Sequence, residues 1–160
     1  MSKIKELLKD KDSVIAFDVD GVLAKIEFGE NTHFVNDVHW NYILKNNMNT
    51  YTEDKVSKKM QDFIKTKNID NIYVITKVNH ENEYIQKIDY CNKFYNIKKE
   101  NIFYVKEDSE KAKVLLKIKE NYKELEDEKI IMVDDTTNVL TDVMNNTNFS
   151  TAHISTFLDI

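Results

Sequence analysis

A chain of 160 residues with a formal net charge of −5 is long enough for one core that buries roughly 70% of the surface its unfolded form exposes, and its acidity argues against a broad attraction to nucleic acid. The single cysteine, Cys91, rules out an internal disulfide and suits a reducing cytoplasm. No stretch approaches the ~20 apolar residues of a membrane helix, and Met1 to Lys11 lacks the apolar segment of a signal peptide, so a soluble, small-molecule partner is expected.

In chain order, residues 2 to 10 carry Ile4, Leu7 and Leu8 on one helical face. A first strand is expected over 13 to 19. Beyond it, Ala24 to Phe28 and Thr32 to Val35 flank the turn-forming Gly29-Glu30-Asn31, which predicts a small hairpin. Asp37 can cap a helix over about 38 to 47. Thr52 can cap another over 53 to 67, in which Val56, Met60, Phe63 and Ile64 follow helical spacing. Asn71 to Thr76 reads as the second strand. A helix over about 80 to 95 presents Tyr84, Ile88, Cys91 and Tyr95 on one stripe, and Asn101 to Val105 gives the third strand. Ser109 can cap the next helix, with Val114, Leu115, Ile118 and Tyr122 inward. Lys129 to Val133 is the fourth strand, Val139, Leu140, Val143 and Met144 mark another helix, and Phe149 to Ile154 is the fifth strand, followed by a terminal turn. With no proline and glycine only at 21 and 29, the turns fall mainly to Asn, Asp and Ser. Strands alternating with helices at this spacing predict an α/β fold of three layers, a parallel sheet covered on both faces, in a single domain over 1–160.

Three strands end in polar groups that a parallel sheet would deliver to one edge: Asp18 and Asp20, Thr76, then Asp134 and Asp135. The first of these strands is an apolar run, Val14-Ile15-Ala16-Phe17, that stops at two carboxylates, and Gly21 lets the backbone turn just beyond them. In an extended chain, residues i and i+2 project to the same side. Asp18 and Asp20 would then crowd each other unless a cation or a shared proton intervened, and a divalent metal is the simplest resolution. A calcium loop is a poor match, because it needs a third oxygen ligand before its glycine and a glutamate after it.

The pattern Asp18-x-Asp20-Gly21-Val22, followed in order by Thr76, Lys111 and Asp134-Asp135, resembles the four motifs of the haloacid dehalogenase-like superfamily of mostly magnesium-dependent phosphatases and phosphotransferases. The likeness covers about residues 13 to 145. It implies a Rossmann-like sheet of five strands in the order 3-2-1-4-5, with a minimal lid over about 22–50. It further implies that Asp18 is the nucleophile that forms an aspartyl-phosphate and that Asp20 is the general acid and base, its backbone carbonyl also holding Mg²⁺. Thr76 would donate to the phosphoryl oxygens, Lys111 would neutralise their charge, and Asp134 would bind the metal directly. Asp135 would act through water or position its neighbours.

Simple electrostatics points the same way: a carboxylate attacks a phosphate dianion only if a hard cation and an ammonium cancel their repulsion. An oxygen-only donor set suits Mg²⁺, with no Cys/His cluster to favour zinc. Asp20 must hold a proton when the leaving group departs, which requires surroundings that raise its pKa above the usual value of about 3.9.

Lys106 and Lys113 compete with Lys111 for the phosphate-neutralising role, and Asp135 could instead cap the following helix. His33 and His39, beside Trp40, lie in the segment expected to overhang the site, and His80 follows Thr76 closely. His153 is expected to be structural and Cys91 to be core. The function expected is a Mg²⁺-dependent phosphomonoesterase acting on a nucleotide or another small phosphorylated metabolite. The alternatives are a non-catalytic phosphate-binding protein and a phosphotransferase to an acceptor other than water.

Overall fold

A computed structural model describes residues 2–25, 42, 43, 45, 46 and 48–160. The expected hairpin and the helix over about 38–47, with His33, His39 and Trp40, fall mostly outside those residues, as does most of the 22–50 segment.

Five strands form the sheet: β1 (Val14–Phe17), β2 (Ile72–Lys77), β3 (Ile102–Val105), β4 (Ile130–Asp134) and β5 (Ser150–His153). They are parallel throughout and run in the order β3-β2-β1-β4-β5. Central strands of such a sheet are buried on both faces, which is why β1, β2 and β4 read as continuous apolar runs rather than alternating ones. Pleating sends alternate residues to opposite sides. Ile15, Phe17, Ile72, Val74, Ile131 and Val133 pack on one face with Leu7 and Leu8 of α1 (Lys3–Lys9), Met60, Phe63 and Ile64 of α2 (Lys58–Lys65), and Tyr90, Cys91 and Tyr95 of α3 (Glu81–Tyr95). Val14, Ala16, Tyr73, Ile75, Ile130 and Met132 pack on the other with Ala112, Leu115 and Ile118 of α4 (Lys111–Lys119) and Leu140 and Val143 of α5 (Thr137–Asn146). The α/β, three-layer expectation is met, and Cys91 is in the core.

Three local expectations are corrected. The helix expected over 53–67 is broken: a 3₁₀ turn spans Glu53–Lys55, Val56 forms an isolated antiparallel bridge to Ala24, and the helix begins afresh at Lys58 with Ser57 as its cap. Val56 is drawn out of the helical pattern because pairing with Ala24 closes the chain behind the acidic turn. On α3 the buried stripe is Glu83, Lys87, Tyr90, Cys91 and Tyr95, with Tyr84 and Ile88 only partly covered. Met144 of α5 is 61% exposed, so the inward stripe there is Val139, Leu140 and Val143. In place of glycine, Asn96 takes the left-handed conformation (φ 60°) that ends α3.

Candidate active site

The register of β1 against β4 pairs Phe17 with Val133, so Asp18 and Asp134 leave neighbouring strands at the same level. Each lies one residue beyond a side chain that packs toward α1–α3, so both turn toward the α4 side of the sheet. There the ammonium of Lys111, in the first turn of α4, lies 2.8 Å from Asp134 Oδ2, 3.4 Å from Asp18 Oδ1 and 3.5 Å from Asp108. Asp134 is fully buried and its other oxygen, Oδ1, accepts from the Thr136 backbone N–H at 2.9 Å. Burial tends to neutralise Lys111, but Asp18 and Asp134 outweigh it and hold the ammonium firmly charged. Lys111 therefore takes the place between the carboxylates. Lys106 instead lies over the Tyr104 ring, and Lys113 is exposed.

Asp18 is in a different state. Its Oδ1 is buried and, although in ion-pair reach of Lys111, accepts no hydrogen bond. Burial pushes its carboxyl up to about 7; Lys111 opposes this, while Asp134 and Asp20 add to it. Carboxylate oxygens of Asp18, Asp134 and Asp135 lie within 4.8 Å of one another. Burial and the neighbouring Asp134 also raise the Asp135 carboxyl. An orphaned buried oxygen inside an oxygen-only cluster that carries excess negative charge fits a hard divalent cation such as Mg²⁺.

Gly21 shapes this cluster. Its φ of +74° belongs to the region glycine enters freely, and a Cβ there would lie 2.1 Å from Asp135 Oδ2. The turn at 21 and the carboxylate at 135 are thus in direct contact. Asp135 is not the cap of α5, a position held by Thr136; its side chain accepts from Thr136 Oγ1 at 3.2 Å. Its backbone carbonyl lies 3.0 Å from His153 Nε2, in keeping with a structural His153.

Asp20 departs from the expectation that it lies alongside Asp18. The strand ends at Phe17, and the next residues wind into a tight turn in which the N–H groups of Val22, Leu23 and Ala24 all converge on the Val19 carbonyl at 3.2, 2.9 and 2.8 Å. The period of two is lost there, and Asp20 swings toward α3. Its Oδ2 lies 2.7 Å from the Lys87 ammonium and its Oδ1 accepts from the Tyr51 hydroxyl at 3.0 Å. The crowding of two carboxylates is thus relieved by two lysines, Lys111 for Asp18 and Lys87 for Asp20. Both oxygens of Asp20 thus face donors, Lys87 and Tyr51. The Asp20 side chain does not join the acidic cluster, which leaves only its backbone carbonyl for the metal role.

Thr76 is fully buried near the end of β2, where its Oγ1 accepts from Lys87 at 3.0 Å. His80 stands at the N-cap of α3 without a side-chain capping bond. Lys87 and Glu83 are the residues that sequence reasoning missed: they are charged and look solvent-facing, yet they are buried. Their spacing from Tyr90, Cys91 and Tyr95 was the available signal.

The sheet has the strand order 3-2-1-4-5 that the motif resemblance implies, with Asp18 and Asp134 on adjacent strand ends and Lys111 between them. The fold is α/β and Rossmann-like. No family model matches the sequence, and no curated protein matches it. Two solved structures of the HAD domain of the effector protein Lem4 from Legionella pneumophila are similar at 14% identity. One, an inactive mutant, has a TM-score of 0.49 and covers 90% of this chain and 86% of its own. The other has a TM-score of 0.48, with 88% and 85% covered. Among the described residues no helix is long and apolar enough to cross a membrane.

Proposed function

We propose that this chain is a Mg²⁺-dependent phosphomonoesterase that works through an aspartyl-phosphate on Asp18, with a nucleotide or other small phosphorylated metabolite as substrate. The observation that carries this reading is the state of Asp18: a buried carboxylate with one oxygen free of hydrogen bonds, in ion-pair contact with Lys111 and within reach of Asp134 and Asp135. Asp18, Asp134 and the Asp20 carbonyl would hold the metal, with Asp135 beside them, and the bound ion would supply positive charge to the phosphoryl oxygens.

In the first step a carboxylate oxygen of Asp18 forms a bond to phosphorus while the bond to the leaving oxygen breaks, and the leaving oxygen takes the proton of Asp20. Lys111 offsets the negative charge that gathers there, and Thr76 donates to a phosphoryl oxygen. In the second step Asp20 takes a proton from water. The resulting hydroxide attacks phosphorus, the bond to Asp18 breaks, and phosphate leaves with Asp18 restored.

A panel of phosphomonoesters with Mg²⁺, scored for phosphate release, tests the reading. Turnover is expected with at least one of them, abolished by EDTA and restored by Mg²⁺. Asp18→Asn should remain folded and lose nearly all of it. Undiminished turnover in the variant would rule out Asp18 as the nucleophile.

A further inference from the structure

We infer that Lys87 is a positioning residue of this site: it orients the Thr76 hydroxyl as a donor and fixes the Asp20 carboxylate, with Glu83 as its counter-charge. The inference rests on the phosphoryl-transfer reading and extends it to a residue outside the four motifs. The Lys87 side chain is 1% exposed, and its ammonium meets four acceptors: Asp20 Oδ2 at 2.7 Å, Glu83 Oε1 at 2.8 Å, Thr76 Oγ1 at 3.0 Å and the Lys77 carbonyl at 2.7 Å. An ammonium has three protons, so every one is engaged. A buried lysine with such partners is no snorkelling surface residue. It joins the turn after β1, the end of β2 and the second turn of α3 at one atom.

The consequence for Thr76 follows from the donor count of a hydroxyl. Its oxygen accepts from a cation, so its single hydrogen points elsewhere and is available to donate. Donation is what an anionic oxygen requires, whereas a freely rotating hydroxyl would present a lone pair part of the time. Glu83 completes the device. It is 3% exposed; one oxygen holds Lys87 and the other accepts from the Asn79 backbone N–H at 2.8 Å. The loop from Lys77 to His80 is therefore tied to α3 at the Lys77 carbonyl and the Asn79 N–H, which sets the backbone that carries Thr76. Two buried lysines thus serve the two carboxylates from opposite faces of the sheet, Lys111 from α4 and Lys87 from α3.

The test is a double-mutant cycle between Thr76→Val and Lys87→Met, read by equilibrium binding of tungstate in the presence of Mg²⁺ and by kcat and KM for an aryl phosphate. Because Lys87→Met leaves Asp20 and Glu83 without their cation, the cycle is repeated with Lys87→Met/Glu83→Gln, which removes the second buried charge. In the wild-type background Thr76→Val should weaken tungstate about 10- to 100-fold, the worth of one hydrogen bond to an anion. In either Lys87 background the same change should cost less than about 2-fold, since the hydroxyl has already lost its orientation. A full Thr76→Val loss in folded Lys87 variants would overturn the positioning role while leaving the phosphatase reading intact. A wild-type protein that neither binds tungstate nor releases phosphate from any substrate would overturn that reading, and the role of Lys87 with it.

Discussion

Asp18→Asn should make the metal-free protein more stable. The native carboxyl is carried from 3.8 to about 7, chiefly by burial, so between those values the folded state binds more protons than the unfolded one. Stability supplied by the protonated carboxyl is therefore full below about pH 4 and is lost as pH rises through 7. At about 1.36 kcal/mol per tenfold change in proton affinity, the ionised form costs the folded state about 4 kcal/mol. Asparagine keeps the shape and removes that charge, while Lys111 retains Asp134 at 2.8 Å. Some attraction to Lys111 is forfeited, so the expected gain is about 2 to 4 kcal/mol at pH 8 and near zero at pH 4. Urea unfolding of both proteins in EDTA from pH 4 to 8 measures the difference at each pH. Added Mg²⁺ should reverse the order, because a ligand that prefers the wild-type carboxylate stabilises that native state more. A variant no more stable than wild type at pH 8 in chelator, or a gap that does not change with pH, would refute the account of Asp18 as a strained, buried anion.

Other outcomes follow from neighbouring residues. Lys111→Met should cost about 3–5 kcal/mol in EDTA, because it leaves buried carboxylates uncompensated, and Mg²⁺ should restore part of that loss in a thermal melt. Gly21→Ala should raise the Mg²⁺ concentration needed for half-activation by about 10- to 100-fold, since its Cβ would displace Asp135; an unchanged metal titration would show that Asp135 has no part in holding the ion. Asp20→Asn keeps the backbone carbonyl, so Mg²⁺ affinity should change little while turnover falls by about 10²–10⁴. The phosphorylation step should suffer less with an aryl than with an alkyl phosphate, and equal losses in pre-steady-state kinetics would remove Asp20 from proton transfer.

Much of this architecture is legible from residue order because strand ends are marked by an abrupt change in chemistry. Phe17 to Asp18 and Val133 to Asp134 each pass from apolar to acidic in one step, and the parallel topology does the rest by bringing those steps to one edge. Lys111 is legible as a candidate among three lysines, but not as the choice; only the packing of α4 on β4 separates it from Lys106 and Lys113. Lys87 and Glu83 escape because helical periodicity is read through apolar residues, and a buried ion pair breaks that code while obeying the same spacing. Asp20 does not share the direction of Asp18 because strand geometry ends at Phe17, where the backbone begins to turn. The break at Val56 is hidden for a similar reason: a bridge to Ala24, 32 positions earlier, overrides a local helical pattern.

That bridge also bears on how the chain tolerates change in length. Lys25 donates its N–H to the Lys55 carbonyl at 2.8 Å, Ser57 donates to the Leu23 carbonyl at 3.3 Å, and the same carbonyl receives the Tyr90 and Tyr95 hydroxyls. The chain leaves the sheet and returns to it through one doorway, braced from behind by α3. The entropy of closing a connection whose ends meet at such a neck changes only slowly with its length. A change of length ahead of Met48 therefore costs the sheet little, provided that Tyr51 still reaches Asp20.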